Sequence, residues 1–503
     1  MRRTLAAVLA VSLLALARAA PAGAAPDEFR FYGAGFGHGL GMSQCGAFGL
    51  AEQGWGPSKI LGHFYSKTKI QRAKDAPKSL RIGLAQGESK VRLEAQTGDV
   101  DLLLGDPKTG DPVATIPDGE TWVLREDHQQ FKVLHAGQVV AEVGDPDTLL
   151  FAVYPNARVT IPEALHTYNR GTIEFGLSPC GPNACDMRLV LTISPQEYLY
   201  GLAEVPSSWP MQAMKAQAVA ARTYAFTKAA ADQHRPGCDC ALYASSLDQV
   251  YAGWDKEGGL DGDRWVQSVD ETDGQVVAYQ GEPIQAFYMS SSGGFTENNE
   301  NVWGGTPIAY LRGVCDPGDY TSSNPNATWT VTMSATEVTR DLRLGIGTVT
   351  GFTDVLRGVS GRIITTTVKG EDGTATIDGG TLRSDLALPD DRMWINANRL
   401  VTGTIRAKYD SLSCAPGLPI SREAKVAGGA RQKFEEGTIY TSDATGAHSL
   451  SGALLDFYLA KGGPSGKLGF PDSDLTTLAN GATKARFERG VVKCTAAGSC
   501  KIA

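Results

Sequence analysis

Residues 197–231 read EYLYGLAEVPSSWPMQAMKAQAVAARTYAFTKAAA, and this stretch decides the fold. From Met211 onward nearly every residue is a strong helix former, with Ala dominant, Ser207 and Ser208 as N-cap candidates and Pro210 suited to the first turn. The pattern predicts a helix of about 20 residues. Met211, Met214, Ala218, Ala221 and Ala225 recur at spacings of three and four, which gives an apolar face of small side chains that neighbouring backbone can approach closely. Just upstream, Glu204 stands among Leu202, Ala203, Val205 and Pro206 with no basic neighbour in sequence. Desolvation in such surroundings raises a carboxyl pKa. An acid kept protonated near neutrality is the group that cleavage of a glycosidic bond first needs. On pattern alone, the commoner reading of Glu204 is an acid stabilised by a helix N-terminus.

On the N-terminal side, short β-type runs fill residues 80–143 (LRIGL, KVRLEA, VDLLLG, TWVLRE, QFKVLHA, QVVAEV) with GE, TGD and DG turns between them. They read as a small inserted β-domain over 80–148 that carries no chemistry. Residues 149–413 then hold strands such as ARVTIP and MRLVLTI, the helix, and further strands around VSGRIITTTVKG, and are read as a catalytic core. A glycine-rich segment, GFGHGLGMSQ, lies far upstream within residues 26–79. Its glycines lack the spacing and the strand–helix–strand setting of a nucleotide fingerprint. They are expected instead to let backbone approach a substrate groove into which His38, Ser43 and Gln44 point. Past a linker-like stretch at 414–430, residues 431–503 contain KFEEGTIY and RFERGVV, a repeated pattern, with GGPSGKLGFPDSD between them.

Composition bounds the function. A chain of 503 residues, 42% hydrophobic and 20% charged, is globular and long enough for several domains. The net charge of −8, without clusters of Lys and Arg, argues against nucleic acid as a partner. Arg2 and Arg3, an apolar run and small residues ending at Ala25 read as a secretory signal peptide over 1–25, and no further transmembrane candidate is visible. Export permits disulfides, and the short spacings of Cys180 with Cys185 and of Cys494 with Cys500 suggest two local bridges. Nine cysteines leave one over, and Cys45 is the candidate. His234, Cys238 and Cys240 are zinc-ligand types whose fourth partner is not evident. Alternatively these two cysteines pair at a distance, with Cys315 or Cys414, since cysteines one residue apart rarely join. No metal or cofactor is assigned.

Three segments, GLAEVPSSWPMQAMKAQAVAARTYA, AFYMSSSGGFTENNENVWGG and GFGHGLGMSQCGAFGLAEQGWGPSKILGHFY, together resemble the SpoIID/LytB family of sporulation stage II protein D and amidase enhancer. The C-terminal pattern resembles the LGFP repeat of cell-wall-associated actinobacterial proteins. The resemblance implies an α+β fold, mostly β, with one central Ala-rich helix, and lytic transglycosylase activity on peptidoglycan glycan strands in a secreted, wall-associated protein. The family's catalytic glutamate falls on Glu204 and its arginine on Arg222. Pairing Arg222 with Glu204 would lower the acid's pKa, so Arg222 is expected on the substrate. His38, Ser43, Gln44, Ser291, Ser292, Gly293, Gly294, Thr296 and Glu297 are the expected substrate-binding residues, and the last six are expected to bond sugar hydroxyls. The glycine-rich segment follows the catalytic segment in the family's usual order but precedes it here, so its strand must return to the core from the other terminus. The rival reading is a non-catalytic wall-binding protein that recruits or enhances an amidase.

Overall fold

The computed structural model describes residues 26–182 and 184–503, so the expected signal peptide lies outside the described residues. Strand outweighs helix, 37% against 21%, as an α+β, mostly-β fold requires. Among the described residues no helix is long and apolar enough to cross a membrane.

The Ala-rich stretch forms the helix Met211–Ala231. Pro210, not a serine, occupies its N-cap and supplies no capping side chain, though its carbonyl accepts from Ala213 and Met214 N–H at 3.0 and 3.1 Å; the Ser207 carbonyl accepts from Arg264 Nη1 at 2.7 Å. The helix is buried on more than the one face its spacing suggests, with Ala216, Ala218, Ala220, Ala221 and Ala225 all nearly inaccessible. Small side chains allow the helices Gln44–Glu52, Pro57–Phe64 and Gly262–Asp270 and the strand Gln275–Tyr279 to close around it.

The strands upstream do not make a separate inserted domain. Leu80–Glu88 pairs antiparallel with Cys185–Ile193, Lys90–Gln96 with Arg158–Ile161, and Val100–Leu104 with Leu150–Val153. The boundary expected at 148/149 is therefore crossed by both large sheets, of seven and six strands. They share one core in which Leu93, Leu102, Val159 and Leu189 meet Met214 and Ala218 of the central helix. Alternation reveals each strand but not its partner, because pairing here links residues far apart in sequence.

The N-terminal segment does return to the core, on small sheets of its own. Glu28–Gly33 lies between Trp329–Ser334 and Met393–Ile395, antiparallel to both. Met42–Ser43 runs parallel to Tyr288–Met289. Phe29 and Phe31 thereby join a second core with Val338, Val368, Leu382 and Met393, which supports the helix Gly379–Asp385. The close approach expected of the glycines is made to protein: at Gly41, with φ of 71°, a Cβ would stand 2.0 Å from the Phe287 carbonyl oxygen.

Cys180–Cys185 and Cys494–Cys500 are bonded and Cys45 is free and buried. Cys238 and Cys240 are bonded to each other, contrary to the expectation of distant partners. Asp239 between them adopts a left-handed backbone, φ 52°, a conformation that Asp tolerates and that forms the tight turn joining them. His234 Nδ1 meets Asp239 Oδ1 at 2.6 Å, so this trio does not form a ligand set. Cys315 bonds Cys414.

That last bridge ties down the expected linker, which is folded. Pro419 bridges Phe434 and Pro471 bridges Phe487. Glu435 accepts from Leu418 N–H at 2.9 Å just as Glu488 accepts from Phe470 N–H at 3.0 Å. The sequences Gly417-Leu418-Pro419 and Gly469-Phe470-Pro471 thus open two equivalent units, each with a four-stranded sheet. The first packs on the preceding part of the chain through Ile405, Tyr409, Phe434 and Ile439.

Candidate functional site

Residues 199–202 end a short helical turn, and Leu202 forms an antiparallel bridge with Tyr251. Ala203 N–H donates to the Val250 carbonyl at 2.8 Å, and the next donor on the facing strand, Val250 N–H, reaches Glu204 Oε1 at 2.7 Å. Lys256 Nζ holds the other side of the segment through the Val205 carbonyl at 2.6 Å. The paired strands Met42–Ser43 and Tyr288–Met289 deliver two more groups. Gln44 Nε2 donates to Glu204 Oε2 at 3.3 Å, and the Tyr288 hydroxyl stands beside the carboxyl, where it lowers its proton affinity. Tyr288 is in turn oriented by Gln249, whose Nε2 donates to the phenol oxygen at 2.9 Å and to the Ala221 carbonyl at 3.2 Å.

Glu204 lies in a groove of about 650 Å³ lined also by Phe36, His38, Tyr224, Leu247, Phe287 and Trp303. Burial raises its pKa, against the opposing pull of the Val250, Tyr288 and Gln44 donors. Among the described residues no basic side chain hydrogen-bonds to it or pairs with it. The one other carboxylate of this groove, Asp248, is differently placed. Its Oδ1 takes Tyr224 Oη at 2.9 Å and Lys228 at 3.2 Å, and its Oδ2 takes Arg235 at 2.6 Å and Tyr243 N–H at 3.0 Å. Burial pushes its pKa up, but these donors outweigh that and hold it below the usual carboxylate range. The arrangement thus offers one protonatable acid and one fully engaged anion.

The structure brings His38 and Gln44 to this groove and keeps the remaining expected residues out of it. His38 is neutral, its pKa pushed down to about 4 by burial and by Arg362 and Arg383. Its Nδ1 accepts from Leu40 N–H at 3.1 Å and its ring packs against Phe287 and Trp303, so it shapes the wall of the groove. Ser43 caps the helix Gln44–Glu52, accepting from Gly46 N–H at 2.9 Å, and donates to Asp319 Oδ1 at 2.8 Å.

Of the serine-glycine loop, expected to bond sugar over 290–294, Ser290 lines the groove, but residues 291–294 are inaccessible, contrary to that expectation. Ser291 Oγ donates to Asp319 at 2.9 Å, and Ser292 Oγ donates to Asp316 at 2.6 Å. Gly293 and Gly294 have positive φ and pack against Ala34 and Arg406. Thr296 Oγ1 accepts from Val314 N–H at 2.9 Å, and Glu297 caps the turn at Val359 and Ser360. Polar side chains in a loop suggest a ligand, but here the ligands are buried protein groups some 25 residues downstream, Asp316 and Asp319.

Arg222 is likewise outside the groove. It is 2% exposed and its guanidinium donates to the Gln275 and Val269 carbonyls at 3.1 and 3.3 Å and to Gln196 at 3.4 Å. Burial lowers its pKa to about 10. It joins the helix to the elements behind it. Sequence reading missed Tyr288, Val250 and Trp303, although Tyr288 and Trp303 both fall within the AFYMSSSGGFTENNENVWGG segment.

Residues 184–279 match the family model described as Stage II sporulation protein (SpoIID), and residues 417–466 match the LGFP repeat. The chain therefore carries a SpoIID domain followed by an LGFP repeat. It is 35% identical over 131 residues to "Amidase enhancer" of Bacillus subtilis (strain 168), covering 26% of this chain and 16% of that protein. "Stage II sporulation protein D" of the same strain is 29% identical over 191 residues, 35% of this chain and 55% of the relative. The protein of that name from Bacillus amyloliquefaciens is 32% identical over 145 residues, 27% and 42%. The chain thus spans well under two thirds of the length of each of these relatives. The family match includes Glu204, Val250 and the central helix, whereas the opposite wall, from Phe36 to Gln44 and from Phe287 to Trp303, lies outside it.

Proposed function

We propose that the chain is a secreted, wall-associated lytic transglycosylase that cleaves peptidoglycan glycan strands with Glu204 as its acid and base in turn. One observation carries the reading: Glu204 is the only carboxyl of the groove whose proton affinity is raised, and the second carboxylate there is occupied by four donors. Hydrolysis by two carboxylates needs a free nucleophile or base across the bond, and Asp248 is not free. A substrate carrying its own nucleophile removes that need. Protonated Glu204 gives its proton to the oxygen linking N-acetylmuramic acid to N-acetylglucosamine, and the bond from muramic C1 to that oxygen breaks. The muramic C6 hydroxyl then bonds C1 and returns its proton to Glu204, leaving a 1,6-anhydro end without consuming water. An internal nucleophile has high effective molarity. Val250 N–H, Tyr288 and Gln44 stabilise the carboxylate between the two steps.

The match to a protein named Amidase enhancer favours a second reading, in which the groove and the repeats bind wall and assist an amidase without chemistry of their own. The Glu204→Gln variant separates them. It keeps shape and hydrogen bonding but cannot donate a proton, so turnover of purified glycan strands should fall by ~10²–10⁴-fold while strand binding survives. Unchanged turnover would remove Glu204 from the mechanism, and a wild-type chain that binds strands and never cuts them would favour the enhancer reading.

A further inference from the structure

The groove holding Glu204 continues past His38. Gly37, His38, Trp303 and Arg383 line both it and a second cavity of about 310 Å³, whose far wall is the helix Gly379–Asp385. One aromatic ring and one cation mark the junction. Trp303 is 54% exposed, although its ring is braced against His38 and Phe287 with centroids 5.1 and 4.7 Å away. Arg383 leaves the last turn of that helix, and its Nε donates to the Pro389 carbonyl at 3.0 Å, which fixes the stem of the guanidinium. Neither terminal nitrogen has a protein partner among the described residues.

The other charges around the two cavities are engaged. Lys228 pairs with Asp248 at 3.2 Å, and Asp378 accepts from Thr381 N–H and Oγ1 at 2.8 and 2.7 Å. Asp391 faces Arg362 Nε at 3.3 Å. The Arg383 guanidinium shares its cavity with Asp391, close enough for their charges to interact, but it is held only by its stem, and its two terminal nitrogens offer parallel donors that match a carboxylate. We propose that Arg383 binds a carboxylate carried by the glycan strand while Trp303 stacks on the adjoining sugar ring, making the second cavity a subsite that holds the strand across Glu204. Both residues lie outside the matched SpoIID segment. The proposal rests on peptidoglycan being the substrate. Two carboxylates of that polymer share the required chemistry, the lactyl group on the muramic ring and the free carboxylates of stem peptides.

Binding is best measured with the full chain carrying Glu204→Gln, so that no strand is consumed, on three probes: strands stripped of peptides, the same strands with lactyl carboxylates reduced to alcohols, and strands bearing peptides. Adding Arg383→Ala should weaken a carboxylate-bearing probe by ~10–100-fold and the reduced probe by no more than ~2-fold, with Arg383→Lys recovering part of the loss. Loss on peptide-free strands assigns the lactyl group, and loss confined to peptide-bearing strands assigns the peptide. Trp303→Ala should weaken all three alike. Equal loss from Arg383→Ala on all probes, or none on any, would overturn the subsite. Because turnover plays no part, a wild-type chain that fails to cut glycan would leave a positive result standing. Binding to none of the probes would overturn the peptidoglycan reading itself, and this subsite with it.

Discussion

Glu204 and the pair Asp316 and Asp319 are buried carboxyls whose proton affinity burial raises, and of these three only Glu204 faces the groove. Glu204 borders the 650 Å³ groove and keeps a few donors on a group that remains reachable. The pair Asp316 and Asp319 is sealed under Ser43, Ser291, Ser292 and Asn324. Burial and the neighbouring Asp319 push Asp316 up to about 8, and burial raises Asp319 as well. Perturbed proton affinity is therefore not by itself a sign of catalysis. Access to the groove distinguishes the two centres, and the sealed one works as a structural knot joining residues 43–46, 291–294 and 316–324.

The comparison breaks most visibly under substitution at Asp319, the counterpart of Glu204→Gln. Asp319 accepts from Ser43 Oγ, Ser291 Oγ and Ser292 N–H. Asp319→Ala strands those donors and should cost ~2–5 kcal/mol in denaturant unfolding, while activity per folded molecule is kept. A stable Asp319→Ala variant with dead activity would show that the sealed centre takes part in the chemistry. Next in size is Arg222→Ala, which leaves two buried carbonyls without donors and should cost ~2–4 kcal/mol with glycan affinity unchanged. Lost affinity at unchanged stability would return Arg222 to the substrate.

A pH effect should follow from Asp316. Its folded pKa, about 8, exceeds the ordinary 3.8, so the folded chain binds more protons across that window and stability falls as pH rises through it. Asp316→Asn should flatten this slope in melting curves recorded between pH ~5 and ~9. An unchanged slope would place the titration elsewhere, with Asp391, also raised to about 8 by burial and Asp390, as the next group to replace. The smallest effect is expected at Cys45, whose thiol burial pushes up to about 12 and which stays protonated. Cys45→Ala should cost ~1 kcal/mol or less and leave activity intact.

What was legible in the sequence was local. The central helix announces itself through Ala content and spacing, Glu204 through its apolar neighbours, the two short disulfides through separation, and the LGFP pattern through the repeated Phe-Glu motif of KFEEGTIY and RFERGVV, whereas the first unit's start at Gly417-Leu418-Pro419 read as linker. What was illegible depends on distant partners. Residues 80–148 read as a domain because alternation is visible within them, yet their strands close onto 150–193. The serine loop and Ser43 read as sugar contacts because nothing near them in sequence suggests Asp316 and Asp319. Arg222 sits on a helix whose apolar face was read correctly, but only packing reveals that its polar side is buried too. Arg383 carried no signal at all, since its meaning comes from the cavity it meets.

The central claim is that a single acid cuts the strand without water, and the mass of the products tests it most directly. Peptide-free glycan strands digested with the wild-type chain and analysed by mass spectrometry should yield fragments ending in 1,6-anhydro-muramic acid, lighter by one water than reducing ends, and none with Glu204→Gln. Fragments with reducing ends only would mean that water is the nucleophile, and the account of Glu204 as acid and base in turn would be contradicted.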